Sequence, residues 1–220
     1  MQLCEKYRPK DFDEFIGQDK VVRRIRSVIE RESFGQGAGE AFWISGTTGT
    51  GKTTLAQIVS RYLGVEPRPA WNYVEIDGDK CNVEMVRSLD ERTRAAGLFA
   101  DTWQVFIVNE AHAMKGQAVN AWLTLLERLP ERWLVIFTTT QPADKDLFGD
   151  FTAPLLSRCV VFEFTNQGLA KAFASRAKEI AQTENLDGKS DAAYLRLAQD
   201  CHNSMREMLQ AIYSGRMLTS

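Results

Sequence analysis

The sequence predicts an α/β fold: a parallel five-stranded sheet covered by helices on both sides, followed by a small all-helical unit. Three observations predict it. Short apolar runs alternate with helical periodicity from residue 41 to 164. A Gly-rich loop, GTTGTGKT at 46–53, sits between one such run and a helix. After Phe164 the strand-like runs stop and only helical periodicity remains. Strand–helix alternation is the pattern of a sheet whose parallel strands are joined by crossover helices.

Taken in order, residues 18–31 carry Val21, Val22, Ile25, Val28 and Ile29 at helical spacing, with Arg23, Arg24 and Arg26 between them. A Gly-rich break at 35–39 separates this helix from AFWIS, 41–45, a buried-type strand. The loop and a helix bearing Leu55, Ile58, Val59 and Tyr62 follow. Strands are expected at 73–76, 103–108, 133–138 and 159–164, and helices at 83–96 and at 118–129, where Pro130 stops the pattern. Residues 168–183, 190–201 and 204–217 are helical in periodicity. The expected units are therefore 1–165, an α/β domain, and 166–220, a helical lid.

Composition narrows the class without naming a function. The 220 residues are 44% hydrophobic and 25% charged, with a net charge of −2, as in ordinary soluble globular proteins. Bulk charge gives no nucleic-acid signal, so any such contact must be a local basic patch. Cys4, Cys81, Cys159 and Cys201 are scattered with no CxxC pair, which argues against a structural zinc site and for a reduced, cytoplasmic setting. The N-terminal MQLCEKYRPKDF has no apolar core of a secretory signal.

Gly46, Gly51, Lys52 and Thr53 meet the G-x-x-x-x-G-K-[ST] pattern between a strand and a helix, the context in which it marks a phosphate-binding loop. Glycines let successive backbone N–H groups turn inward onto phosphate oxygens, and the helix N-terminus adds its positive end. Thr48, Gly49, Thr50, Gly51, Lys52, Thr53 and Thr54 are the candidate phosphate contacts. Lys52 reaches the terminal phosphates and the Thr53 hydroxyl suits Mg²⁺.

The strand 105–108 ends in Asn109-Glu110-Ala111-His112. A carboxylate at such a strand end orders the Mg²⁺ shell, and the next one activates water. Glu110 is available as the base. Asn109, the candidate metal-side residue, brings an amide oxygen but no charge, and Mg²⁺ favours anionic oxygen. Two readings stay open: hydrolysis with weakened metal dependence, or a nucleotide-holding subunit with impaired turnover. His112 either stands behind the site residues as a supporting group or, as the preferred reading, simply caps the turn.

EKYRPKDFDEFIGQDK (5–20), the phosphate loop, NEAHAM (109–114), VNAWLTLLERLPE (119–131), LVIFTTTQP (134–142) and LLSRCVVFEF (155–164) occur in that order. Together they resemble the AAA+ ATPase subunits of sliding-clamp loaders, of the bacterial gamma/tau and replication factor C small-subunit type. The resemblance covers nearly the whole chain. It implies ATP as the nucleotide with Mg²⁺, and Tyr7, Arg8, Pro9, Ile16 and Gly17 around the adenine and ribose. It implies Thr140 as a polar sensor of the γ-phosphate. Arg158 in Ser157-Arg158-Cys159 matches the finger that enters a neighbouring subunit's site. Arg206 matches the lid arginine that touches the γ-phosphate of its own subunit. The implied partners are other clamp-loader subunits, a sliding clamp, and primer–template DNA held through phosphates, with Lys80 and Arg87 where such contacts are expected. The clamp would be gripped near the loop after residue 83.

Three departures from the family accompany this. Asn109 replaces an Asp. Asn203, expected to cap the following helix, replaces a Gly. A collar domain that holds such assemblies together does not follow the lid within the 220 residues, and the gamma-type zinc cysteines are missing. A branch-migration helicase or a replication initiator of the same class is the alternative machine, and each would need a winged-helix domain after the lid.

Overall fold

A computed structural model describes residues 2–94, 101–141 and 153–218. The helices are α1 (Leu3–Lys6), α2 (Asp19–Ile29), α3 (Lys52–Tyr62), α4 (Val83–Arg94), α5 (Gly116–Leu126), α6 (Ala153–Leu156), α7 (Ala170–Thr183), α8 (Asp191–Asp200) and α9 (Met205–Tyr213). The strands are β1 (Glu40–Ser45), β2 (Tyr73–Asp77), β3 (Gln104–Asn109), β4 (Trp133–Thr139) and β5 (Val160–Glu163). They form one parallel sheet in the order β2-β3-β4-β1-β5. The expected helix 83–96 is seen to Arg94, and its last two residues lie outside the described ones, as does Pro142.

The apolar runs are strands because both faces of the sheet are covered. All seven residues of β4 are buried, while the edge strand β2 alternates between covered and open positions. Successive side chains point to opposite faces. Phe42, Ile44, Val105, Ile107, Leu134 and Ile136 therefore meet α2 and α3 on one side. Trp43, Phe106, Val108, Val135 and Phe137 meet α4 and α5 on the other.

Two boundaries shift for local reasons. The fifth helix begins at Gly116 and ends at Leu126, with Glu127 as its C-cap, because Pro130 leaves no room to continue. The ninth stops at Tyr213, ahead of Gly215 at φ 84°, a left-handed turn that closes helices. The four-residue helices α1 and α6 were not expected, being too short to show a period.

The helices α7, α8 and α9 share a separate core of Leu169, Phe173, Ala177, Tyr194, Leu197, Met208 and Ile212. Leu3 of α1 is buried in the same core, although the sequence groups it with the sheet. Among the described residues no helix is long and apolar enough to cross a membrane.

Candidate active site

Parallel pairing brings the C-terminal ends of the strands to one edge. Ser45 lies beside Thr139 and Glu163, and Asp77 beside Asn109. In open parallel sheets the crevice outside these ends is where ligands bind. The loop after β1 lies on that edge. The Gly46 N–H donates to the Thr139 carbonyl (3.2 Å), and the Thr50 hydroxyl donates to the Thr47 carbonyl (2.7 Å), curling the loop over itself.

Glycine is required in this loop for two distinct reasons. Gly49 has φ 78°, and a Cβ there would lie 2.1 Å from Ser204 Oγ, so the loop presses on the start of α9. Gly51 is the left-handed N-cap of α3 (φ 99°), and a Cβ would strike the Phe15 ring at 2.7 Å. A side chain at either place would be strained by its backbone and obstructed as well.

Lys52 is 6% exposed. Its Nζ donates to the carbonyls of Gly46 (2.7 Å) and Thr47 (2.9 Å), which fix the ammonium within the loop. Burial pushes its pKa down to about 8; Glu110 opposes the shift and Arg206 adds to it. Those three groups, from a loop, a strand end and the lid, thus converge on one place.

The end of β3 is a hydrogen-bonded cluster. Asn109 Oδ1 accepts from the hydroxyls of Thr53 (2.8 Å) and Thr138 (3.0 Å), and Asn109 Nδ2 donates to Glu75 Oε1 (2.9 Å). Glu110 sits at φ 50°, ψ 48°, a left-handed backbone that costs a bulky residue about 1–3 kcal/mol and collects at functional sites. Its carboxylate accepts from the Thr140 hydroxyl (3.2 Å) and lies 3.4 Å from His112 Nδ1. That His112 nitrogen also lies 3.0 Å from the Thr139 hydroxyl. The turn itself is closed by backbone bonds of Ala113 and Met114, so His112 does not cap it; its ring nitrogen stands between Thr139 and Glu110.

A cleft runs from this cluster toward the N-terminal arm. Tyr7, Arg8, Pro9 and Ile16 line one side, Thr48–Thr54 the floor, and Arg206 the lid side, with Glu110 at one end. Arg8 is paired with Glu5 and donates to Thr54 Oγ1 (3.4 Å). Gly17 supports the wall from behind: at φ 89° it turns against Leu169 and Phe173, either of which a Cβ would meet at 2.9 Å. Tyr7 and Lys6 both bond Glu184 at the end of α7.

Arg158 stands apart. It pairs with Glu127 and donates to the Pro154 carbonyl (3.0 Å), with its side chain 34% exposed. Lys80 pairs with Asp77 and is 68% exposed, and Arg87 is exposed on α4. The expected capping role of Asn203 is corrected: Asn203 takes the left-handed conformation (φ 57°) and donates to the Asn166 carbonyl (2.7 Å), while Ser204 is the N-cap, accepting from Glu207 N. Asn203 fits this position because Asn tolerates positive φ, not because it caps.

The sequence reading missed Phe15 and Phe173, which abut the glycine turns, and the cleft-lining Arg176. Helical spacing of Phe173 hinted at burial but not at which cavity. Glu75 and Thr138 were missed as well, since nothing local marks a partner more than 25 residues away from Asn109.

The donor set fits a magnesium nucleotide. The glycine-lined loop is shaped for phosphate, and Thr53 donates its proton to Asn109, which leaves the hydroxyl lone pairs free for a hard cation. Among the described residues no cluster of three His, Cys, Asp or Glu could hold a metal alone.

A parallel five-stranded sheet with this glycine-lined loop at its carboxyl edge is the architecture of a P-loop nucleotide-binding protein. The profile for the ATPase family associated with various cellular activities (AAA) matches residues 42–166, more than half of the chain, and the chain belongs to that family. It is similar to the DNA polymerase III subunit tau of Bacillus subtilis, at 27% identity over 98% of this chain and 40% of that protein. It is also similar to the replication factor C small subunit of Archaeoglobus fulgidus, at 28% identity over 83% of this chain and 54% of that protein. The chain thus spans about two fifths to half the length of these relatives. Its fold matches Thermotoga maritima RuvB carrying R170A, with a TM-score of 0.70 at 21% identity over 94% of this chain and 64% of that one.

Proposed function

We infer that this chain is an ATP-binding and ATP-hydrolysing subunit of a sliding-clamp loader acting in DNA replication. The observation that carries hydrolysis is Glu110, held by Thr140 and His112 beside Lys52 at the end of the cleft. Likeness to a polymerase III subunit along 98% of the chain supports the clamp-loader reading.

In this reading Tyr7, Arg8, Pro9 and Ile16, backed by Gly17, embrace the adenine and ribose. The amides of Thr48–Gly51 and the Lys52 ammonium hold the β and γ phosphates, and Thr54 lies beside Arg8 at the other end of the phosphate chain. Thr53, backed by Asn109, would hold Mg²⁺, which when bound draws charge from the phosphate oxygens. Glu110 takes the proton of the attacking water as the water oxygen bonds the γ-phosphorus, and the bond to the leaving oxygen of ADP breaks. Thr140 orients Glu110, and Arg206 brings the lid, residues 166–220, onto the γ-phosphate. Arg158 completes the site of a neighbouring subunit, for which its position outside its own cleft is suited. Such a finger contributes about 10³-fold or more in rate. The further partners of this reading are the clamp and the phosphates of primer–template DNA.

Steady-state ATP turnover with added Arg158→Ala chain tests this. If the finger acts across subunits, the variant poisons mixed assemblies while still binding nucleotide. Turnover unaffected by the variant would refute the shared site. Stimulation by recessed 3′-end DNA plus a clamp beyond duplex alone separates a loader from a branch-migration motor. The neutral Asn109 favours a second reading, a scaffold that holds nucleotide and lends Arg158. Assemblies that bind ATP but never release phosphate would establish it.

A further inference from the structure

Behind Asn109 stands a side chain that no motif points to. Glu75 lies on β2, two residues before Asp77, the residue paired in register with Asn109. Its Oε1 accepts from Asn109 Nδ2 (2.9 Å), and its Oε2 accepts from Gln57 Nε2 (3.0 Å) and from the Tyr73 hydroxyl. Glu75 is therefore fixed by three donors, from α3, β2 and β3.

The chemistry of an amide gives this arrangement a direction. An Asn side chain has an accepting end and a donating end of almost equal size. Only the accepting end can take the proton of Thr53. With the NH₂ group turned to Thr53 instead, the hydroxyl would have to accept, and one of its two lone pairs would be withdrawn from a cation while its proton was left pointing toward the metal side. An ionised carboxylate only accepts. Placed against Asn109, Glu75 therefore admits one orientation, with Oδ1 toward Thr53 and Thr138. It also places a negative charge one hydrogen bond behind the position where Asn109 has none.

We propose that Glu75 is a positioning residue for magnesium at this site: it locks the Asn109 amide with its oxygen toward Thr53 and supplies, from the neighbouring strand, the charge that residue 109 lacks. This deepens the nucleotide-binding reading above and rests on it. Partners of this kind behind a metal ligand govern its affinity by about 10- to 100-fold.

The experiment uses the full chain and a fluorescent methylanthraniloyl-ADP, titrated first in EDTA and then against increasing Mg²⁺. Glu75→Gln keeps an acceptor for Asn109 and removes the charge. Glu75→Ala removes both. The expected result is unchanged metal-free nucleotide affinity in each. The Mg²⁺ concentration at half-effect should rise about tenfold in E75Q and further in E75A. The decisive arm repeats E75Q on Asn109→Asp. There Glu75 faces a second carboxylate, so removing its charge should lower the Mg²⁺ requirement. A merely structural role for Glu75 would give the same sign in both backgrounds. Equal signs, or E75Q and E75A both within about twofold of the unaltered chain, would overturn the proposal while nucleotide binding stands. An unaltered chain that binds the probe no better than Lys52→Ala would overturn the nucleotide reading itself, and the proposal with it.

Discussion

The phosphate loop and the strand-end cluster adjoin through Thr53, yet they are built by opposite means. The loop is one contiguous run, 46–54, and its ammonium is held by carbonyls five and six residues away. The cluster draws Glu75, Asn109 and Thr138 from three strands and Glu110 and Thr140 from the first positions beyond two of them, with side-chain bonds between partners 29 to 34 residues apart. One is made by backbone conformation, the other by sheet register. A local device tolerates change elsewhere in the chain. A register-built device depends on every strand that contributes to it.

If the two parts are separable, Glu110→Gln should cut ATP turnover by about 10²- to 10⁴-fold and leave the affinity for fluorescent ADP intact. A parallel loss of binding would break the distinction. Gly49→Ala attacks the other side. Its left-handed backbone and the blocked space at Ser204 should cost about 1–3 kcal/mol, seen as a lower Tm together with weaker nucleotide binding. Raising the pH should act on the loop alone. Lys52, with its pKa lowered to about 8, is charged below that value and neutral above it. Affinity for the anionic nucleotide should therefore fall as pH rises, by up to about fivefold between pH 8 and pH 9. Persistence of that fall in Glu110→Gln would assign it to Lys52. The smallest effect is expected from Ser204→Ala. Losing the α9 cap should cost about 1 kcal/mol in thermal unfolding with turnover little changed.

The same contrast explains what was legible in the sequence. The inner strands β1, β3 and β4 showed as apolar runs because both faces of the sheet are covered there. The loop showed because its residues are adjacent. Arg158 and Arg206 could be singled out only through resemblance to a family, since a lone arginine carries no local mark. Glu75 was invisible: a Glu in YVEID looks like the solvent side of an edge strand until parallel pairing sets β2 against β3. Asn203 was misread because capping and positive φ are both Asn habits, and only the dihedral angles tell them apart. The turn that places Glu110 was legible as a strand end, but its left-handed backbone was not.

The bond from Tyr7 and Lys6 to Glu184 has a bearing on exchange of the bound molecule. The arm is stapled to the end of α7, and Leu3 is sunk among the same helices. Swinging those helices off the sheet must either tear this staple or take the arm along. In the second case the cleft loses its roof and its side wall in one movement.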